Sequence, residues 1–227
     1  MMQDMIVESN MASVTGRIAS EFRKAHWGRG EELYMVDVLV VRLSGLTDRI
    51  PLVVQARLVH IGDCIGRMVS VEGQFRSYNR HEGGRSQLVL SVFAREFRLL
   101  EDGESIDYAR NNRIFLDGHI CKKPIHRRTP KGKDIADMLL AVNRAHGKSD
   151  YIPCIVWGKD AKDVARLEVG AAVRILGRIQ SREYEKKLPQ GESEIRVAYE
   201  VSAMEVEADD ARRREPRHLH RKEGRWD

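Results

Sequence analysis

Apolar and polar residues alternate with a period of two along much of the chain, most clearly toward its C-terminal end. In VRILGRI (173–179), Val173, Ile175 and Gly177 fall on one side and Arg174, Leu176 and Arg178 on the other. In IRVAYEV (195–201), Ile195, Val197, Tyr199 and Val201 alternate with Arg196, Ala198 and Glu200. Successive side chains of a strand point to opposite faces, so both segments are predicted strands. Upstream, RIFLDGHI (113–120) is a predicted first strand that reaches Gly118, a residue type at which small barrels bend or bulge. IADMLLAV (135–142) and YIPCIVW (151–157) supply two more, the latter rich in β-branched and aromatic residues with Pro153 near its start. Between the first and second lies HRRTPKGK (126–133), a turn-rich basic loop. The period changes in DAKDVARLEVG (160–170), where Val164 and Leu167 stand three apart and Gly170 terminates the run, as in a short helix. The predicted order is three strands, a helix, then two strands.

The same pattern occurs twice. Asn10 and Gly16 recur as Asn112 and Gly118, Ile18 as Ile120, Val40 as Val142, Arg42 as Arg144, Asp48 as Asp150, and Ile50-Pro51 as Ile152-Pro153, all displaced by 102 residues. Beyond these the displacement becomes 104 and joins Val69, Val71, Gly73 and Ser77 to Val173, Ile175, Gly177 and Ser181. An indel of two residues in a connecting loop accounts for the change. The first copy uses LYMVDVLVVRL, IPLVVQARL, GRMVSVEGQF and SQLVLSVFARE for its later strands. EDGESIDYARN (101–111) has no sustained apolar period and reads as the linker. The expected organisation is a first unit over 1–107, a second over 108–207, and a basic tail over 208–227 without a packed fold. The fold class is all-β: two tandem five-stranded OB barrels, each with a short helix between strands 3 and 4.

Charge separates the two copies. Residues 10–107 hold 13 Lys/Arg against 13 Asp/Glu, whereas 112–207 hold 18 against 14, within a net charge of +5. Three cysteines without CxxC spacing, Cys64, Cys121 and Cys154, suit reduced thiols, and His119 near Cys121 is not expected to form a metal site. No apolar run approaches the roughly 20 residues that span a bilayer, and MMQDMIVESN lacks the pattern of a signal peptide, so a cytoplasmic protein with no membrane partner is expected. P-loop, GxSxG and HExxH motifs are absent from the sequence; neither an enzyme nor a cofactor is expected.

The second unit, through NRIFLDGHICKKPIHRRTPKGKDIADMLLAV, YIPCIVWGKDA, GRIQSREY and YEVSAMEV, resembles the bacterial single-stranded DNA-binding proteins, with primosomal replication protein N a close second. The first unit resembles a diverged copy. The resemblance implies a barrel that wraps single strands in DNA replication, recombination and repair, close to the nucleoid. It implies stacking roles for Tyr151, for Trp157 before Gly158-Lys159, and for Tyr184. Unpaired bases stack on such rings with little sequence preference. Arg174, Arg178, Arg182, Lys186, Lys187 and Lys159 are candidates for phosphate contacts, with Arg127, Arg128, Lys131 and Lys133 closing over the strand.

Tyr151 and Trp157 are six apart and share one strand face, which is either the stacking surface or the core. In the first unit the matched positions are Arg49, Gln55 and Arg80, so the aromatic set is missing there. Arg76 and Tyr78 are its candidate contacts, with Trp27, Tyr34 and Phe75 as other rings and the last two equally suited to the core. The tail has seven Lys/Arg against five Asp/Glu, where family members usually end in an acidic segment. Since one-barrel members form tetramers, a homodimer with four barrels is expected. The alternatives are a primosome component that assists helicase loading, or an interaction scaffold whose barrels no longer bind DNA.

Overall fold

The duplication folds as two closed circuits of strands. The computed structural model describes residues 8–25, 31–59, 62, 64–82, 85–144, 147–187, 191 and 193–209, with backbone alone for 81, 82, 85, 86 and 209. In the first half, β1 (Asn10–Ile18), β3 (Leu33–Val41), β4 (Thr47–Gln55), β5 (Met68–Glu82) and β6 (Arg85–Leu99) close in the order β1–β5–β6–β4–β3–β1. A three-residue strand, β2 (Arg23–Ala25), adds outside β3. In the second, β7 (Asn112–Arg128), β8 (Asp134–Asn143), β9 (Ser149–Trp157), β10 (Ala172–Lys187) and β11 (Ser193–Asp209) close as β7–β10–β11–β9–β8–β7. Both have OB connectivity, with a parallel β4–β6 or β9–β11 contact completing the ring.

The period-two pattern sets the interior. On β9 the even residues Ile152, Cys154 and Val156 are buried, and on β10 so are Val173, Ile175 and Ile179. Three expectations are corrected. The second barrel's helix, α1, spans only Lys159–Val164, although Leu167 still packs against the core beyond it. In the first barrel the described residues of the corresponding connection hold a 3-10 turn, Ala56–Leu58, and no α-helix; Val59, Gly62 and Gly66 disfavour helix nucleation there. The basic loop narrows to 129–133, since β7 runs through Arg128. β11 continues to Asp209. Residues 210–227 and Trp27 lie outside the described residues.

The barrels join through β1 and β7, antiparallel, with Ala12 opposite Ile114. These two positions are themselves equivalents in the repeat, so the pairing has a local pseudo-two-fold axis at that point. Beyond Gly73, β5 has no β1 partner, and beyond Gly177, β10 has no β7 partner. Buried strand N–H groups require acceptors. Asn10 Oδ1 accepts from Phe75 N–H at 2.9 Å, and Asn112 Oδ1 from Ile179 N–H at 2.9 Å. One step further out the acceptor comes from the other barrel: Ser77 N–H donates to Asp150 Oδ1 at 2.6 Å, and Ser181 N–H to Asp48 Oδ1 at 2.9 Å. In return, Tyr151 N–H donates to Ser77 Oγ at 2.7 Å and Arg49 N–H to Ser181 Oγ at 2.9 Å. Each carboxylate is buried beside an arginine of its own barrel, Asp48 with Arg42 and Asp150 with Arg144. Asn10, Arg42, Asp48 and Ser77 recur with their counterparts because they build this reciprocal joint.

Candidate nucleic-acid interface

The outer face of β9 decides between stacking surface and core. Its odd residues point away from the interior, and Tyr151 and Trp157 are 47% and 40% exposed at the two ends of the row. Six residues of strand separate them by about 20 Å. Between them Pro153 is half-buried and Ile155 is covered, with Asp137 of β8 opposite Ile155. Trp157 is followed by Gly158 at φ 73°, a left-handed conformation that turns the chain into α1 and leaves Lys159 exposed at its first residue. Both rings are therefore surface groups held by a rigid strand.

Tyr184 lies on the β10–β11 arm opposite Arg196 and is 38% exposed. The Arg182 guanidinium carbon lies 6.0 Å from its ring centre. Arg182 and Lys186 share its strand face, whereas Lys187 falls on the other. This arm extends over the first barrel, as the Ser181 contacts to Asp48 and Arg49 require. Tyr184 is thus not gathered with Tyr151 and Trp157 into one row.

The basic candidates divide by their partners. Lys131 and Lys133 are exposed in the β7–β8 turn. Arg127 forms a two-pronged pair with Asp137, a hydrogen-bonded contact that raises its pKa. Asp134 receives Arg128 at 3.6 Å, His126 at 3.1 Å and Lys162 at 3.5 Å. Arg174 pairs with Asp117 at 3.2 Å. Arg178 is half-buried near Arg42 and Asp48, and burial first, then Arg42, lowers its pKa. It belongs to the joint between the barrels rather than to open surface. In the first barrel Arg76 lies over the Phe93 ring, and Tyr78 is half-buried on the same face of β5. Phe75 is fully buried in the core, and Tyr34 is half-buried.

Sequence reasoning missed the joint, although its signal was present: Asn, Arg, Asp and Ser recurring at fixed displacements mark polar groups with a shared structural duty. It also missed Phe93, whose position has no aromatic counterpart in the second copy. Among the described residues, no three His, Cys, Asp or Glu side chains gather as a metal site. No helix among them is long and apolar enough to cross a membrane.

Two closed barrels, one bearing an outward aromatic row, define a tandem OB-fold protein. Its fold is shared with the crystal structure of the wild-type single-stranded DNA binding protein from Thermus aquaticus, at a TM-score of 0.69, with 18% identity over 88% of this chain and 92% of that one. The model of the single-strand binding protein family matches residues 111–208. The single-stranded DNA-binding protein of Clostridium tetani is 38% identical over 102 residues, 42% of this chain and 68% of that protein. That of Bacillus cereus is 41% identical over 81 residues, 33% of this chain and 48% of that protein. The chain belongs to the single-strand binding protein family. It spans about half the length of the first curated relatives it matches.

Proposed function

We propose that this protein binds and protects single-stranded DNA in replication, recombination and repair, in the cytoplasm and close to the nucleoid. The observation that carries the reading is the outward placement of Tyr151 and Trp157 on β9, within the part of the chain that matches the family. Exposed rings on a rigid strand are suited to unpaired bases, each stack contributing about 1–3 kcal/mol. Lys159, Lys131, Lys133, Arg182, Lys186 and Lys187 supply exposed charge for phosphates. Arg127, Arg128 and Arg174 contribute only by exchanging a carboxylate partner for a phosphate, and Tyr184 adds a ring on the arm.

Residues 1–107 and 108–207 act as two domains with unequal roles, the second binding more tightly because Arg49 and Gln55 stand where it has Tyr151 and Trp157. A homodimer would bring four barrels together. Binding is the whole activity, with no catalytic step.

Titration with fluorescent oligo-dT at low and high salt, with duplex DNA and single-stranded RNA as competitors, tests the reading. Tight, salt-sensitive, DNA-preferring binding is expected, and Trp157→Ala should weaken it while the far-UV circular dichroism stays unchanged. Failure to bind at low salt would refute it and favour an interaction scaffold.

A further inference from the structure

The first barrel carries no rings at the positions where β9 carries Tyr151 and Trp157, and what stands there is already engaged. Arg49 Nη1 donates to Asp37 at 3.2 Å, and Gln55 Nε2 to Glu31 at 2.7 Å. β2 runs beside β3 at this place, and Ala25, Leu33 and Val53 are buried as a small apolar cluster separate from the core. Phe93 of β6 pairs with Val53 across the parallel contact, packs against this cluster, and stays partly exposed.

Arg76 covers that ring. Its guanidinium carbon lies 4.2 Å from the ring centre, and Gln74 Oε1 accepts from Nε at 3.2 Å and from Nη2 at 2.8 Å. The guanidinium is thereby fixed as a flat group backed by an aromatic ring, and unpaired bases stack on guanidinium planes as they do on rings. Arg144 and Arg95 lie close enough to act on Arg76, with Asp150 the nearby acid. Arg95 is paired with Glu8, and Asp150 is committed to Ser77 N–H and to Arg144, so the charge left for a phosphate is that of Arg76 itself. The place adjoins the second barrel's ring row, because Ser77, the residue after Arg76, accepts the Tyr151 N–H.

We infer that Arg76 and Phe93 form a nucleobase platform on the first barrel, which receives the stretch of single strand leaving Tyr151. The inference rests on the proposed single-strand binding and specifies where the first barrel takes part in it. The platform is not a relic of the repeat. Aligning the parallel contacts places Phe93 opposite Ser202, and Arg76 opposite Gln180, which bonds Glu200 at 2.6 Å. The ring row of Tyr151 and Trp157 thus lies on the third strand of its barrel, whereas Arg76 and Phe93 lie on the fourth and fifth of theirs.

The test compares the full-length chain with Arg76→Lys, Phe93→Leu and Phe93→Tyr on oligo-dT of about 8 and about 30 nucleotides, lengths at which one or both barrels are covered. Lysine keeps the charge and loses the plane; leucine keeps apolar bulk and loses the ring. Arg76→Lys and Phe93→Leu should each weaken the long oligomer by about 5- to 150-fold, leave the short one unchanged and preserve the salt slope, with Phe93→Tyr close to wild type. Wild-type affinity for the long oligomer in both Arg76→Lys and Phe93→Leu, or equal losses on both lengths, overturns the platform alone. A wild-type chain that binds neither oligomer overturns the single-strand reading with it. Should a variant melt early, photocrosslinking of iodouracil-substituted oligo-dT to the wild-type chain replaces it. Adducts on the peptide holding Phe93 support the platform, and their absence overturns it.

Discussion

Gly118 is expected to be among the least replaceable residues of the second barrel, for steric rather than conformational reasons. Its φ is not in the left-handed region, so alanine fits the local backbone. A Cβ there would stand 2.5 Å from the Ala141 carbonyl oxygen and 3.1 Å from Leu140 Cγ, where ordinary contact begins at 3.4 Å. The oxygen belongs to strand backbone and cannot rotate away, so β7 and β8 must separate by 3.4 − 2.5 = 0.9 Å. At that separation a ladder hydrogen bond of about 2.9 Å lengthens to about 3.8 Å and is lost. The neighbouring pairs His119–Ala141 and Ile120–Leu140 bear the change, and Leu140 is fully buried. One or two weakened bonds at about 1 kcal/mol each, together with about 1–3 kcal/mol of overpacking, give a destabilisation of about 2–4 kcal/mol for Gly118→Ala. Urea denaturation followed by far-UV circular dichroism measures it against Gly62→Ala, whose Cβ would meet nothing within 4 Å, and Gly170→Ala, which is also open but has φ +89°. The order of midpoints should be Gly62→Ala near wild type, Gly170→Ala lower by about 1–2 kcal/mol, and Gly118→Ala lowest. Equal midpoints for Gly118→Ala and Gly62→Ala would refute the steric argument.

Burial raises the pKa of Asp150, outweighing its hydrogen bond from Ser77 and the charges of Arg144 and Arg76. Between the ordinary aspartate range and that raised value the native state binds more protons than the unfolded chain, so this group's contribution to stability falls as pH rises through the window. Asp150→Asn, which keeps an oxygen for Ser77 N–H, should flatten the dependence of the urea midpoint on pH; an unchanged slope counts against the assignment. Asn112→Ala removes both bonds that close the free edge of β10, the 2.7 Å bond to Ile179 carbonyl and the 2.9 Å bond from its N–H. It should cost about 2–4 kcal/mol, read from the same denaturation curves, since buried backbone groups are left unpaired. Complete burial pushes the Cys154 thiol far above its ordinary range, and Cys121 is raised less. Iodoacetamide at pH 8 should therefore label Cys154 only after unfolding, as mass spectrometry of the peptides would establish.

Strand alternation made most of the fold legible, because a side chain's face follows from its parity once the interior is known. Parity alone left Tyr151 and Trp157 undecided; the choice came from Ile152, Cys154 and Val156, which fill the interior from the even positions. That the described residues after β4 hold no α-helix was illegible by analogy with the second half, since the repeat preserves strand spacing while this connection is free to shorten. Charge counts located the basic half correctly but could not show that Arg127 is committed to Asp137, ten residues on, through the turn between β7 and β8. Nor could they show that Arg178 is half-buried near Arg42 and Asp48 of the other barrel, a proximity that no local pattern encodes.

The antiparallel seam between β1 and β7 joins two halves of one polypeptide, connected through residues 100–111. Tethered partners meet at an effective concentration of about millimolar, so dilution does not part them as it parts separate subunits. A lesion in one half is always matched with the same companion, and cannot be averaged out by exchange with intact copies. Inheritance thus acts on the pair as a unit, and each half is at liberty to lose what the other retains.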